Sequence, residues 1–308
     1  MKSRLLLIAC LLFLVWLNTA RGQNAIDSTS VILRVELSSG NEFYGPIARQ
    51  DSLHIVIQDQ KLGEVSIPRN QIKKMEVLEK AAMVNGTIWL MNPQSTRYFW
   101  APNGYGLKTG EGYYQNVWVL YNQFSVGVTN NFSLGAGMIP LFFFAGTSTP
   151  VWLIPKISLP VVKDKFNVGM GAIIGTVIGE TNTGFGIVYG VTTFGNRNNN
   201  VNLGLGYGYA AGDWAKSPLI NLSAMARTGP RGYLVTDNYF IGIGDQTVAI
   251  LSAGGRTIVR NSAGIDYGLI FPISADIGEF IAIPWLGITI PFGTKANLQN
   301  SPASPLNK

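Results

Sequence analysis

Val201-Asn202-Leu203-Gly204-Leu205-Gly206-Tyr207-Gly208-Tyr209-Ala210-Ala211-Gly212 alternates from end to end. Val201, Leu203, Leu205, Tyr207 and Tyr209 form one series; Asn202, Gly204, Gly206 and Gly208 form the other. A period of two marks an extended strand, with one large apolar face and one small polar face. The pattern recurs. Phe132, Leu134 and Ala136 oppose Ser133, Gly135 and Gly137. Phe166, Val168, Met170, Ala172 and Ile174 oppose Asn167, Gly169, Gly171, Ile173 and Gly175. Phe185, Ile187, Tyr189 and Val191 oppose Gly186, Val188, Gly190 and Thr192. Ile265, Tyr267, Leu269, Phe271 and Ile273 oppose Gly264, Asp266, Gly268, Ile270 and Pro272.

A soluble sandwich also alternates, but with charge on its wet face. Here the second face is mostly Gly, Ser, Thr and Asn. In a lipid-embedded barrel the large apolar face points outward and the small polar face lines the lumen. Closure satisfies every backbone group, which an open sheet in lipid does not do. Composition agrees: 13% of residues are charged, against about 25% in ordinary soluble domains. Apolar residues reach 47%, yet beyond the N-terminus no run of about 18 apolar residues supplies a spanning helix.

The N-terminus reads as an export leader. Lys2 and Arg4 precede the apolar run Leu5 to Leu17, and Ala20 and Gly22 set small residues before a cut at Gln23. The run is shorter than the roughly 20 residues of a membrane helix. Leu7-Ile8-Ala9-Cys10 fits a lipoprotein box, but the apolar run continues past it. Loss of 1–22 removes the single cysteine, Cys10, so no disulfide forms within the mature chain. It also removes Lys2, Arg4 and Arg21, leaving 20 basic against 17 acidic residues, a charge of +3 rather than +6. The basic balance therefore gives no argument for a nucleic-acid partner.

The predicted architecture is all-β: signal peptide 1–22, small periplasmic β module 23–82, transmembrane β-barrel 83–292 and disordered tail 293–308. Alternation and turn residues predict about twelve antiparallel strands, near 86–100, 113–129, 132–142, 150–161, 166–177, 183–194, 201–211, 218–227, 232–241, 246–259, 263–273 and 280–292. Longer connections (102–112, 145–149, 179–182, 212–217, 274–279) fall on one side and short ones (130–131, 163–165, 261–262) on the other, the asymmetry of outer-membrane barrels with periplasmic termini. Tyr113, Tyr114, Trp152, Trp214, Tyr233, Tyr239 and Phe292 lie near strand ends, which predicts aromatic girdles at the headgroup level.

Residues 29–79 are more charged and carry short alternating segments, Val31 to Leu37, Phe43 to Arg49, His54 to Gln58 and Glu64 to Pro68, with turn signals at Ser39-Gly40-Asn41 and Leu62-Gly63. Gly40, Phe43, Gly45, Ile47, Asp51, Ile55, Ile57 and Asp59 resemble the first motif of Sm-like small barrels over about 25 residues; SH3-like is an equal description. The RNA binding of Sm-like proteins is not carried over to an exported module. Contact with a periplasmic protein or the cell wall is the expectation for this segment, beside a purely structural role.

As a whole, the chain resembles outer-membrane β-barrel proteins of Gram-negative bacteria with a small N-terminal β domain. Lys108-Thr109-Gly110-Glu111-Gly112-Tyr113-Tyr114-Gln115, then Val117-Trp118-Val119 and Phe124 to Phe132, carry that resemblance. It implies location and fold, with outer-membrane lipid as a partner, and no substrate.

Catalytic chemistry is sparse. His54 is the only histidine, so no His-rich metal site and no histidine-activated serine is available in the barrel. No P-loop, dinucleotide fingerprint or cysteine cluster occurs. We expect no enzyme activity and no cofactor. Charges inside predicted strands are Lys156, Arg227, Asp237, Arg256, Arg260 and Asp266. Arg or Lys against mid-depth lipid costs about 2–4 kcal/mol, so these are predicted lumen residues. A three-residue turn would set Arg256 across from Asp266; a two-residue turn would pair Asp266 with Thr257. Lys156, Arg227, Arg256 and Arg260 make either an anion-favouring constriction or, with Asp266, an ion-pair network that holds or blocks the lumen. A loop or the 83–112 segment is available to fill it. Three functions follow: a passive pore for small solutes, a non-conducting barrel that anchors the N-terminal module, and a membrane-embedded enzyme, disfavoured by the missing histidine.

Overall fold

A computed structural model describes residues 32–59, 62–78, 81–84, 87–243, 246–259, 263–274 and 280–293. The predicted leader, the tail beyond 293 and Arg260 lie outside the described residues.

The first unit is a five-stranded antiparallel sheet: β1 (Ile32–Leu37), β2 (Glu42–Gln50), β3 (His54–Asp59), β4 (Gly63–Pro68) and β5 (Ile72–Leu78), in the order β4-β3-β2-β1-β5. Alternate residues supply its core. Leu33, Val35, Ile55, Ile57 and Ile67 are buried together, with Leu37, Phe43, Val65 and Ile72 packed on them. The sheet bends where β2 has a bulge between Ile47 and Arg49. Gly45 lies just before the bend, and a Cβ there would stand 2.3 Å from the Gln58 carbonyl oxygen. Only glycine lets the two strands approach that closely. A hairpin, β6 (Ala81–Val84) and β7 (Thr87–Leu90), follows.

The second unit is a closed barrel. Its wall comprises β8 (Glu111–Val117), β9 (Tyr121–Gly127), β10 (Phe132–Met138), β11 (Thr149–Val162), β12 (Phe166–Ile178), β13 (Phe185–Gly195), β14 (Asn199–Ala210), β16 (Leu219–Arg227), β17 (Gly232–Ile243), β18 (Gln246–Ile258), β19 (Gly264–Ile273) and β20 (Ile283–Gly293). The two-residue β15 (Asp213–Trp214) only extends β14. Each wall strand pairs antiparallel with its sequence neighbour, and β20 closes on β8 from Gly287↔Val117 to Gly293↔Glu111. Closure leaves no edge.

The wall therefore has the predicted twelve strands, reached through two compensating differences. Residues 86–100 are not a wall strand, and the single strand predicted over 113–129 is two, β8 and β9, with a turn at 118–120. Both barrel termini and the short connections 128–131, 163–165, 196–198, 228–231 and 259–263 share one end, here the terminal end. The opposite, loop end carries the longest connections, 139–148 with α1 (Pro140–Phe144) and 274–282, beside the short ones 118–120 and 244–245.

The outer face is apolar: Leu134, Leu153, Met170, Leu203, Leu205, Leu234, Leu269 and Leu286 are all exposed. The inner series at β14 is as predicted, with Asn202 wholly buried between exposed Leu203 and its neighbours. At β13 the phase is reversed. Val188 and Phe194 are exposed, whereas Val191 and Thr193 are buried and the Tyr189 hydroxyl points into the lumen. The cause lies in the flanking strands. Tyr189 stands opposite Gly171 on β12 and Gly206 on β14, and Val191 opposite Gly169 and Gly204. A Cβ on Gly171 would come within 2.6 Å of the Tyr189 hydroxyl, and one on Gly206 within 2.8 Å of Ile187. Glycine on both sides makes room for bulk in the middle.

Candidate functional site in the lumen

Residues 91–110 leave β7 and enter the barrel from its terminal end. The segment reads Met91-Asn92-Pro93-Gln94-Ser95-Thr96-Arg97-Tyr98-Phe99-Trp100-Ala101-Pro102-Asn103-Gly104-Tyr105-Gly106-Leu107-Lys108-Thr109-Gly110. It has no period of two, and its prolines and glycines favour turns. It folds back at residues 98–101, where Tyr98 N donates to Ala101 O (2.9 Å) below the Arg97–Pro102 bridge. The predicted external loop 102–112 is thereby corrected: residues 102–107 lie inside, and β8 has begun by Glu111. Pro93 within the predicted strand 86–100 was the available signal against it.

Four groups of wall residues hold this plug. At the mouth, Arg227 donates from Nη2 to Leu90 O (2.8 Å) and Pro230 O (2.6 Å), and from Nε to Gly229 O (2.9 Å). Its guanidinium lies over the rings of Trp89 (4.6 Å) and Tyr233 (5.1 Å).

Arg256 is deeper and wholly buried. It stands across from Asp266, so the three-residue turn alternative is the one adopted. The pair is bidentate, Nε to Oδ1 at 2.6 Å and Nη2 to Oδ2 at 2.9 Å. The remaining donors reach the plug: Asn92 Oδ1 (3.1 Å), Gln94 O (2.8 Å), Gln94 Oε1 (2.9 Å) and Tyr98 O (2.9 Å). The planar fork of arginine suits this double task, a carboxylate on one side and carbonyls on the other.

The tip is held by a carboxylate. Trp100 N and Ala101 N both donate to Asp237 Oδ2 at 2.8 Å. Ser223 Oγ (2.6 Å) and Asn221 Nδ2 (2.9 Å) donate to Asp237 Oδ1. The chain of contacts continues across the wall: Asn202 Nδ2 donates to Asn221 Oδ1 (3.2 Å), Thr193 Oγ1 to Asn202 Oδ1 (2.7 Å), and Gly104 N on the plug to Thr193 Oγ1 (2.7 Å). The inward Asn, Ser and Thr of β13, β14 and β16 thus bridge the two limbs of the plug.

On the return limb, Lys156 Nζ donates to Tyr105 O (2.6 Å) and Thr96 O (3.4 Å). Arg197 donates to Ser95 Oγ (3.1 Å) and Gly106 O (2.8 Å) and lies over the Tyr105 ring at 4.9 Å. Glycine again provides the room. A Cβ on Gly254 or Gly268 would meet the Phe99 ring at 3.0 or 3.2 Å, and one on Gly104 the Asn167 carbonyl oxygen at 2.6 Å.

Beyond the tip, toward the loop end, aromatic rings pack over the fold-back. Trp100 lies 4.5 Å from Tyr121, which stacks on Trp152 at 4.6 Å, and Trp285 contacts Phe99 (5.5 Å), Trp100 (6.1 Å) and Trp118 (5.0 Å). This corrects the predicted girdles. Tyr113, Trp152 and Tyr233 are buried inside, and Tyr239 packs inward with its hydroxyl on Asp237. Trp214 and Phe292 are exposed. The inward rings pack the plug and its arginines, a demand that position near a strand end does not reveal.

Of the sequence-derived lumen charges, Lys156, Arg227, Arg256 and Asp266 are all buried, and the three cations bond the plug or its mouth. Arg97 on the plug and Arg197 in the 196–198 turn were missed: Arg97 lies within the span 86–100 expected to be a wall strand, and Arg197 between alternating segments. A cavity of about 30 Å³ remains, lined in part by Arg97, Tyr113, Gln123, Lys156 and Tyr189. Compared with known protein families, curated proteins and solved structures, the chain matches none.

Proposed function

We propose that the chain is an outer-membrane barrel closed by its own plug, a non-conducting anchor that holds the N-terminal sheet in the periplasm. The plug carries this reading over the passive pore. Its two limbs are bonded to the wall by Arg227, Arg256, Asp237, Lys156 and Arg197. The neighbouring cavity has room for only two or three waters. The apolar outer face supports residence in lipid, and termini on the short-turn end support a periplasmic position for the sheet. The charged inner groups Arg227, Arg256, Asp237 and Lys156 are engaged in holding the plug, which favours a structural role over catalysis. Presentation of residues 32–78 to a periplasmic protein or the cell wall is then the task.

Purified barrel in planar bilayers tests this. The wild type is expected to give no current steps at moderate voltage, and deletion of 92–107 is expected to open stable conductance. Steady single-channel current from the intact chain would restore the pore. Migration in gels unchanged by boiling would count against the barrel in membrane.

A further inference from the structure

The lumen cations differ in how their charge is met. Arg256 has Asp266. Arg227 has two ring faces and three carbonyls. Arg97 and Lys156 have no carboxylate partner among the described residues, yet both are more than nine-tenths buried, 6% and 7% exposed. They line one cavity, and no Asp or Glu lines it with them. Placing two cations together away from water and without counter-charge is strongly unfavourable.

Several other polar groups around the cavity have protons to give. Lys156 Nζ has three protons, and two carbonyls take two of them. Tyr189 lines the cavity, and its hydroxyl is buried with no hydrogen-bond partner among the described residues. Ser125 Oγ accepts from Gln123 Nε2 at 2.9 Å, which leaves its own proton to give. Two cations, two spare hydroxyl protons and no acid make a lining matched to negative charge.

Size narrows the ligand. About 10–15 Å³ of such space holds one water, and this cavity has about 30 Å³. That is room for two or three waters, enough for a monatomic ion. We propose that the cavity between plug and wall is a binding site for a single halide-sized anion, chloride by abundance, held by Arg97 and Lys156 with Tyr189 and Ser125 donating. The anion is a structural part of the seated plug. The proposal requires the plug in place and stands apart from whether the barrel conducts.

The cavity lies between plug and wall, so refolding in a chosen salt lets the anion enter as the plug seats. The full chain is refolded from urea into detergent micelles in sodium chloride, sodium bromide or sodium gluconate at one ionic strength, as wild type, Lys156→Met and Tyr189→Phe. The wild type is expected to unfold at higher urea in either halide than in gluconate, with a saturable halide dependence. K156M is expected to lose that dependence. Y189F keeps its fold and is expected to need about tenfold more halide for half the effect, as for one hydrogen bond to a charged group. Crystals grown in bromide are expected to show an anomalous peak beside Lys156 Nζ. Identical wild-type unfolding in halide and gluconate would overturn the proposal, and Lys156 would then be buried as the neutral amine. A halide effect of equal size in Y189F and K156M would overturn it too, as a general salt effect. Should K156M fail to fold, Y189F and the bromide map decide.

Discussion

The sheet of residues 32–78 buries an apolar set of side chains, whereas the barrel with its plug adds an extended buried polar network to its apolar and aromatic cluster. The sheet buries Leu33, Val35, Ile55, Ile57 and Ile67. The barrel buries Arg256, Asp266, Asp237, Lys156, Asn202, Thr193 and Gln94 and turns its leucines outward. In the sheet, shape and transfer from water do the work, and neighbours substitute for one another at moderate cost. In the barrel, direction does the work. Arg227, Arg256, Asp237, Lys156 and Thr193 each have a donor or acceptor on the plug or at its mouth, and removal of one partner leaves the other stranded.

The comparison breaks most sharply at Arg256. Arg256→Met leaves Asp266 buried without its partner and releases Asn92, Gln94 and Tyr98. Loss of one member of a buried pair costs about 3–5 kcal/mol, read as a lower urea midpoint for the refolded barrel. Adding Asp266→Asn should recover part of that loss. A double variant worse than the sum of the singles would sink the clamp reading. In the sheet, Ile55→Ala removes a fully buried side chain, at about 2–5 kcal/mol. The expected signature is earlier unfolding of the sheet with heat-resistant barrel migration unchanged; simultaneous loss of both would make them one cooperative unit. Leu205→Arg probes the outer face, where Leu205 is 52% exposed. In lipid it costs about 2–4 kcal/mol, visible as poorer folding into vesicles; an unaffected yield would speak for an aqueous surface.

The smallest effect concerns Asp51. The backbone N–H groups of His54 and Leu53 hold its carboxyl below the ordinary value of 3.8. A lowered folded value stabilises the sheet above that pH and ceases to as pH falls through it. Asp51→Ala should lower sheet stability slightly at neutral pH, with the gap to wild type closing as pH falls below about 4, so that the variant's acid limb is flatter. An acid limb identical to wild type would dismiss the turn as a contributor.

How much of this was legible follows from where each signal lives. Alternation lives within a strand, so β10, β12, β14 and β19 were readable alone. The facing of β13 was not, because bulk inside is permitted by Gly169, Gly171, Gly204 and Gly206 on two other strands. Tyr113, Trp152 and Tyr233 misled for the same reason: a ring near a strand end has one sequence signature and two possible directions. Turn length left Asp266 opposite either Arg256 or Thr257, and the register of β18 and β19 sets it opposite Arg256. The plug was offered only as one way to fill the lumen. Its anchors span from Asn92 to Asp237, and no local pattern joins residues so far apart.

Arg227 has a mechanical consequence. The chain passes from the sheet through β7 to Leu90 before it becomes plug, and at that point one guanidinium grips the Leu90 carbonyl, two turn carbonyls and the Trp89 ring. A pull on the sheet reaches this cleat first and is handed to β16 of the wall. The plug would feel tension only after the cleat slips, so whatever tugs on the sheet is braced against the barrel and not against its stopper.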